Sequence, residues 1–216
     1  MAAPVVSVEP RLFAKAGGAP YIIAAPHGDY DRGTGDIVRQ VCGMRRWHCL
    51  VAERFRTKAV PLNVNRPTER VGVSPNNELH STRAAKIYAR YLNAWQKLGG
   101  ASAKVYLEVH GNSRKRSAGY LDVATVGWSR AELLALKQIL SEGLESNGLG
   151  ELKVLVEGVD QIYFRARSTK RWGILGQVSK GVHLEFPRRV RKTSNRGKVV
   201  AFLRSLMPQL EALASS

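Results

Sequence analysis

Short apolar runs alternating with helical stretches constrain this 216-residue chain more than any other feature. "YIIAAP" (21–26), "HCLVAE" (48–53), "AKVYLEVHG" (103–111), "ELKVLVEGV" (151–159) and "GVHLEF" (181–186) read as strands, the third by its alternation at Val105, Leu107 and Val109. Residues 34–47 read as a helix, with Thr34 as N-cap and Ile37, Val38, Val41 and Met44 at helical spacing. A second helix covers 78–98, with Ala85, Tyr88, Ala89, Leu92 and Trp95 on one face and a glycine stop. A third covers 129–146 behind a Ser129 cap, and an amphipathic helix closes the chain over 197–214. This alternation predicts the α/β class: one domain spanning residues 1–216, with a mixed, mostly parallel central sheet flanked by helices. No internal repeat or linker divides it. Residues 54–78 carry three prolines and no periodicity, and a loop of that length in a compact domain is usually functional.

Composition narrows the class. A chain of this length buries roughly 70% of its unfolded surface and needs no staple to fold, and 44% apolar residues argue against disorder. Cys42 and Cys49 are too few for a disulfide framework and are expected to pack as free thiols in a reduced, intracellular protein. The N-terminal segment lacks a basic start followed by an apolar core, and no apolar run approaches a membrane span. A cytoplasmic location with no membrane partner is the expectation. The charge is unusual: 34 Lys+Arg against 17 Asp+Glu, a net +17. A field of that sign attracts nucleic acid, acidic lipid or an acidic substrate. The basic clusters at 114–116, 165–171 and 188–198 do not interleave with aromatics as a single-strand-binding groove does. A basic nucleic-acid-binding protein with a vestigial site therefore stands as the alternative reading, since such runs are also often solvated faces.

In open α/β sheets, ligands bind at the C-terminal ends of the strands. His27 follows the first strand, with Asp29 and Asp31 just beyond; His110 ends the third; Glu185 lies near the end of the fifth. Two histidines and an acid converging from separate strand ends match a catalytic zinc site, which holds three protein ligands and one open position. The same set also suits iron(II). The residues equally fit plainer roles: polar strand ends, an arginine-paired glutamate, and an Asp- and Gly-rich turn leading into a helix.

The segment "APHGDYDRGTGDI" (25–37) resembles the first motif of the small zinc hydrolases related to poly-gamma-glutamate hydrolases and N-formylglutamate amidohydrolases, whose core fold is zinc-carboxypeptidase-like. His27, Gly28, Asp31, Gly33, Thr34 and Asp36 fill that pattern. The chain departs from it at Asp29, where a second glycine is usual, in Asp31 for a glutamate, and in a spacer one residue shorter. Three later segments keep the family's order. "NVNRP" (63–67) is similar to its Asn-Arg segment, "LEVHGNS" (107–113) to the strand ending in the third ligand, and "HLEFPRRVR" (183–191) to the strand bearing the catalytic glutamate. The resemblance implies Zn(2+) held by His27, Asp31 (with Asp29 as substitute) and His110, and Glu185 as general base and then acid. It also implies that Asn65 and Arg66 bind substrate carboxylate or the oxyanion. The implied activity is hydrolysis of an amide in a small acidic amide or peptide, such as an N-acylglutamate or glutamyl peptide, which the positive field suits.

Other polar residues carry weaker readings. Tyr163 is more consistent with packing than with a mobile active-site tyrosine. Glu108 fits a residue that orients a ligand or forms a salt bridge. His80 reads as surface, and His48 and His183 as packing or surface groups, with His183 pointing to the same side as Glu185.

Overall fold

Period-two alternation along the central strands decides the layering. The computed structural model describes residues 10–70 and 73–215. Its strands are β1 (Arg11–Lys15), β2 (Tyr21–Ala25), β3 (His48–Glu53), β4 (Leu62–Asn63), β5 (Thr68–Glu69), β6 (Val105–Asn112), β7 (Tyr120–Val126), β8 (Lys153–Val156) and β9 (Gly181–Pro187). Its helices are α1 (Thr34–Val41), α2 (Thr82–Lys97), α3 (Arg130–Ser146), α4 (Arg167–Trp172) and α5 (Thr193–Leu213). Seven strands form one sheet in the order β1-β3-β2-β6-β9-β7-β8. β3, β2, β6 and β9 run parallel, β7 is antiparallel to β9 and parallel to β8, and β1 closes the edge antiparallel to β3. The α/β class and the mixed, mostly parallel sheet are as expected.

On one face, Val105, Leu107 and Val109 of β6 and Val182, Leu184 and Phe186 of β9 pack under α1, α3 and α5. Each such fully buried side chain contributes roughly 1.5–3 kcal/mol. On the other face, Ile22, Leu50 and Tyr106 meet Tyr91 and Trp95 of α2. That second face is apolar toward the strand starts and turns polar toward the ends of β6, β9 and β7, with Glu108, His110, His183, Glu185 and Asp122 all buried. A polar floor is thus built into the sheet at the edge where the parallel strands end.

Several local expectations are corrected. β1 and β7 do not stand out in the sequence: β1 is a half-exposed edge strand, and β7 interrupts its apolar pattern with Asp122. Thr34 is the first residue of α1 and not its cap; the cap is Gly33 at φ 92, and α1 ends at Val41. α2 starts at Thr82 because Ser81 accepts from the N–H of Ala84, and Leu79 bridges to Glu69 before it. Its buried face runs through Ala84, Tyr91 and Trp95, with Tyr88 and Leu92 packed against the core as expected, but Ala85 and Ala89 are exposed. Cys42 and Cys49 are not free: they form a disulfide, with Cα atoms 5.6 Å apart, because the turn after α1 brings Cys42 back beside β3. No helix among the described residues is long and apolar enough to cross a membrane.

The buried face of α2 is directly testable. Ala84→Arg places a charge in the core and should cost at least about 2 kcal/mol, whereas Ala89→Arg should stay within about 0.5 kcal/mol. Urea denaturation of the two variants checks it; equal effects would contradict the assigned face.

Candidate metal centre

The turn after β2 makes the first half of the site. The N–H of Gly28 donates to the carbonyl of Ala52 at 2.8 Å, and the Asp31 N–H returns to the carbonyl of His27 at 2.8 Å. One turn of chain therefore folds Asp31 back over His27. Gly28 permits this close approach, since a Cβ there would sit 2.9 Å from Val51 and 3.0 Å from the Gly35 backbone. Asp29 faces the other way, exposed, and accepts the Arg54 N–H at 3.0 Å. Of the two aspartates, the fold brings only Asp31 to the histidines.

β6 supplies the second half. His110 Nδ1 lies 3.3 Å from Asp31 Oδ2, and His27 Nδ1 lies 3.6 Å from the same oxygen. One ligand atom from each of His27, Asp31 and His110 falls within 4.8 Å of the others, a spacing that can hold a metal ion. The three residues are at most 9% exposed. Asp31 Oδ2 also accepts the Gly111 N–H at 3.2 Å, tying the turn to the end of β6.

Glu108 orients this arrangement from beneath. Its Oε1 accepts from Asn65 Nδ2 and the Tyr106 hydroxyl, both at 2.9 Å. Its Oε2 faces His110 Nε2 at 3.2 Å and His183 Nδ1 at 2.9 Å. Glu108, His110 and His183 also lie close enough to be a ligand group. Four partners already occupy the Glu108 carboxylate, however, which makes it an anchor that leaves His110 Nδ1 turned toward Asp31. His183 stacks on His110 with ring centroids 4.1 Å apart and reaches Glu185 Oε1 through Nε2 at 3.2 Å. Glu185 is 9% exposed, and its Oε2 is buried with no hydrogen-bond partner.

The arginines divide sharply. Arg66 binds both oxygens of Glu78 at 2.8 Å, and its third nitrogen goes to Thr169 at 3.2 Å. Asn65 is fully buried on Glu108. Beside His27, a guanidinium without a carboxylate partner is that of Arg56, to which the sequence analysis assigned no role. It is 7% exposed, its Nη1 lies 3.2 and 3.3 Å from the two His27 ring nitrogens, it covers Tyr30 at 4.6 Å, and its Nε is buried without a partner. Arg191 is also buried and gives its donors to the carbonyls of Phe186, Arg32 and Asn112, fastening the first turn to the ends of β6 and β9. A Cβ on Gly111 would overlap that guanidinium. Tyr163 is exposed against Arg114. His48 accepts the Gly17 N–H at 3.0 Å, and His80 is exposed beside Trp172.

These contacts set the protonation states. Burial, reinforced by Arg56, lowers His27 to about 3, so its imidazole is neutral and free to act as a ligand. Burial alone would lower His110 too, but its bonds to Asp31 and Glu108 outweigh that and raise it to about 10. Burial opposes the ionised forms of Asp31 and Glu108, but bonds to the histidines prevail and hold both carboxyls below the usual range.

No family model matches the chain, and no curated protein matches it. Solved structures do. It is similar to a bacteriophage poly-gamma-glutamate hydrolase at 15% identity and TM-score 0.56, over 99% of this chain and 94% of that one. The fold is shared. It is the fold expected from the resemblance to the poly-gamma-glutamate hydrolases. The gene product Atu2144 from Agrobacterium tumefaciens matches at 14% identity and TM-score 0.61, over 95% and 96% of the two chains. The zinc-free apo form of YndL matches at 12% and 0.55, over 93% and 90%.

The histidines provide a titration test in the metal-free protein. By NMR, His110 should keep its proton to about pH 10, and His27 should stay neutral down to about pH 3. The His110 value is raised above the unfolded 6.5, so its contribution to stability is complete below about pH 6.5 and is lost as pH rises through about 10. A His110 resonance titrating near 6.5 would contradict the contacts described.

Proposed function

We propose that the protein is a metal-dependent hydrolase that cleaves an amide bond in a carboxylate-bearing substrate, such as an N-acylglutamate or a glutamyl peptide. The observation that carries this reading is the convergence of His27, Asp31 and His110 within 4.8 Å beside a Glu185 carboxylate oxygen that has no partner. Two imidazoles and one carboxylate, one imidazole backed by a buried carboxylate, fit zinc. Bound there, zinc would supply Lewis acidity, lowering the pKa of a water molecule and polarising the scissile carbonyl.

The chain's own residues supply the rest. Glu185 accepts a proton from the attacking water and returns it to the leaving nitrogen. Arg56, cationic and lacking a carboxylate, faces the charge that develops on the carbonyl oxygen. The anion-binding role expected of Arg66 passes to Arg56 in this proposal, because Glu78 takes two of the Arg66 nitrogens and Thr169 the third. Arg66 and Glu78 then brace the turn that presses Asn65 onto Glu108. The net charge of +17 raises the local concentration of acidic substrates and supports this substrate class.

Hydrolysis of N-formylglutamate, gamma-linked glutamyl peptides and simple C-terminal peptides, with zinc added, tests the reading. At least one should be cleaved. Glu185→Gln should lower the rate by about 100-fold or more, the range of a lost general base, while the fold is kept. No turnover, combined with DNA affinity that falls steeply with salt, would replace the reading with nucleic-acid binding.

A further inference from the structure

Asp122 takes no part in the chemistry described so far, yet it occupies the most loaded row of the sheet. In the β6–β9–β7 register, His110 is opposite Glu185 and Glu185 is opposite Asp122. Directly opposed residues point to the same face, with Cβ atoms about 4.5–5.5 Å apart, within reach of an aspartate and a glutamate side chain. Asp122 is 2% exposed and Glu185 9%. Each has one carboxyl oxygen, Oδ2 and Oε2 respectively, buried without a hydrogen-bond partner. No lysine or arginine among the described residues lies within ion-pair distance of either.

Two adjacent buried carboxylates, each with an unsatisfied oxygen and no cation between them, would be costly. One proton removes both deficits, because a protonated carboxyl is a donor and a carboxylate an acceptor. We propose that Asp122 is a positioning residue that holds a proton and donates it as a hydrogen bond to Glu185 Oε2. Glu185 is then fixed at both oxygens, by His183 on Oε1 and Asp122 on Oε2, and each oxygen keeps a further lone pair for water.

The surroundings are consistent with this assignment. Burial raises Asp122 first and the Glu185 charge raises it further, while the backbone N–H groups of Tyr163 and Phe164 act in the opposite direction. From β9 the group meets Glu185, with His183 one row behind; its register partner on β8 is the uncharged Leu155. The more distant charges of Arg56 and Arg191 bear on Glu185. The pair therefore resembles a carboxyl dyad sharing one proton. Its use in catalysis rests on the proposed hydrolase reading; its existence does not. When Glu185 takes the proton of water, the dyad holds two, and it returns to one when the leaving nitrogen is protonated.

The first test uses the full metal-free chain with carboxyl-labelled Asp and Glu. Carbon NMR should show one carboxyl still protonated where the surface carboxyls have ionised. Asp122→Asn, which is isosteric, should remove that signal, and Glu185→Gln should shift it down toward the ordinary aspartate range. Two independent ordinary titrations, or a pair ionised together around a bound cation, would overturn the proposal. This result is independent of turnover, so an inactive protein that shows the shared proton refutes the hydrolase reading alone. Where a substrate is cleaved, the acidic limb of kcat/KM should move to higher pH in Asp122→Leu and stay in place in Asp122→Asn, which retains an N–H donor. A shift to lower pH in both would mean that Asp122 is an ionised neighbour, and the proposal would fall.

Discussion

The buried carboxylate of Glu108 is the interaction on which the rest of the site depends. A fully buried charge is tolerable only when its lone pairs are taken, and Glu108 meets that condition with donors from three parts of the chain. Asn65 comes from the loop between β3 and α2, Tyr106 and His110 from β6, and His183 from β9. Satisfying one carboxylate thus aligns a loop and two strands. It also turns His110 Nδ1 toward Asp31 and places His183 between His110 and Glu185. Removing Glu108 would leave two buried imidazoles and one buried amide short of partners.

Much of this was legible in the residues. The ends of β2, β6 and β9 announced His27, His110 and Glu185 because apolar runs stop there on polar groups. Period two also put His183 on the side of Glu185. What a linear reading could not supply was direction. Asp29 and Asp31 are equivalent in composition, and only the hydrogen bond from Asp31 N–H back to His27 decides which returns to the site. Arg66 carried the family-like motif, yet Glu78, brought near by the β4–β5 hairpin, occupies it. Arg56 had no motif and lies over His27 with no anion. Asp122 was hidden because β7 has a weak pattern, and its meaning emerges only from the sheet register. The Cys42–Cys49 pair was missed because two cysteines make no framework, although they suffice for one bridge.

The positive charge divides in a similar way. Lys115, Arg188 and Lys192 are exposed around a cavity of about 480 Å³ at the ends of β6 and β9, and belong to the field that attracts anions over a distance. Arg56 and Arg191 are buried and act locally. Arg191 fixes backbone segments, and Arg56 reinforces the burial that keeps His27 neutral and, in the proposed reaction, would present a cation to the oxyanion. Sequence charge counts combine these two functions, which burial separates.

The central claim is that His27, Asp31 and His110 together hold a metal. Elemental analysis of untagged protein after exposure to zinc tests it most directly. The account predicts about one ion per chain, as for a single three-ligand site, lost in His27→Ala and Asp31→Asn but retained in Asp29→Asn. Absence of metal from the unaltered protein, or its loss in Asp29→Asn and not in Asp31→Asn, would contradict it.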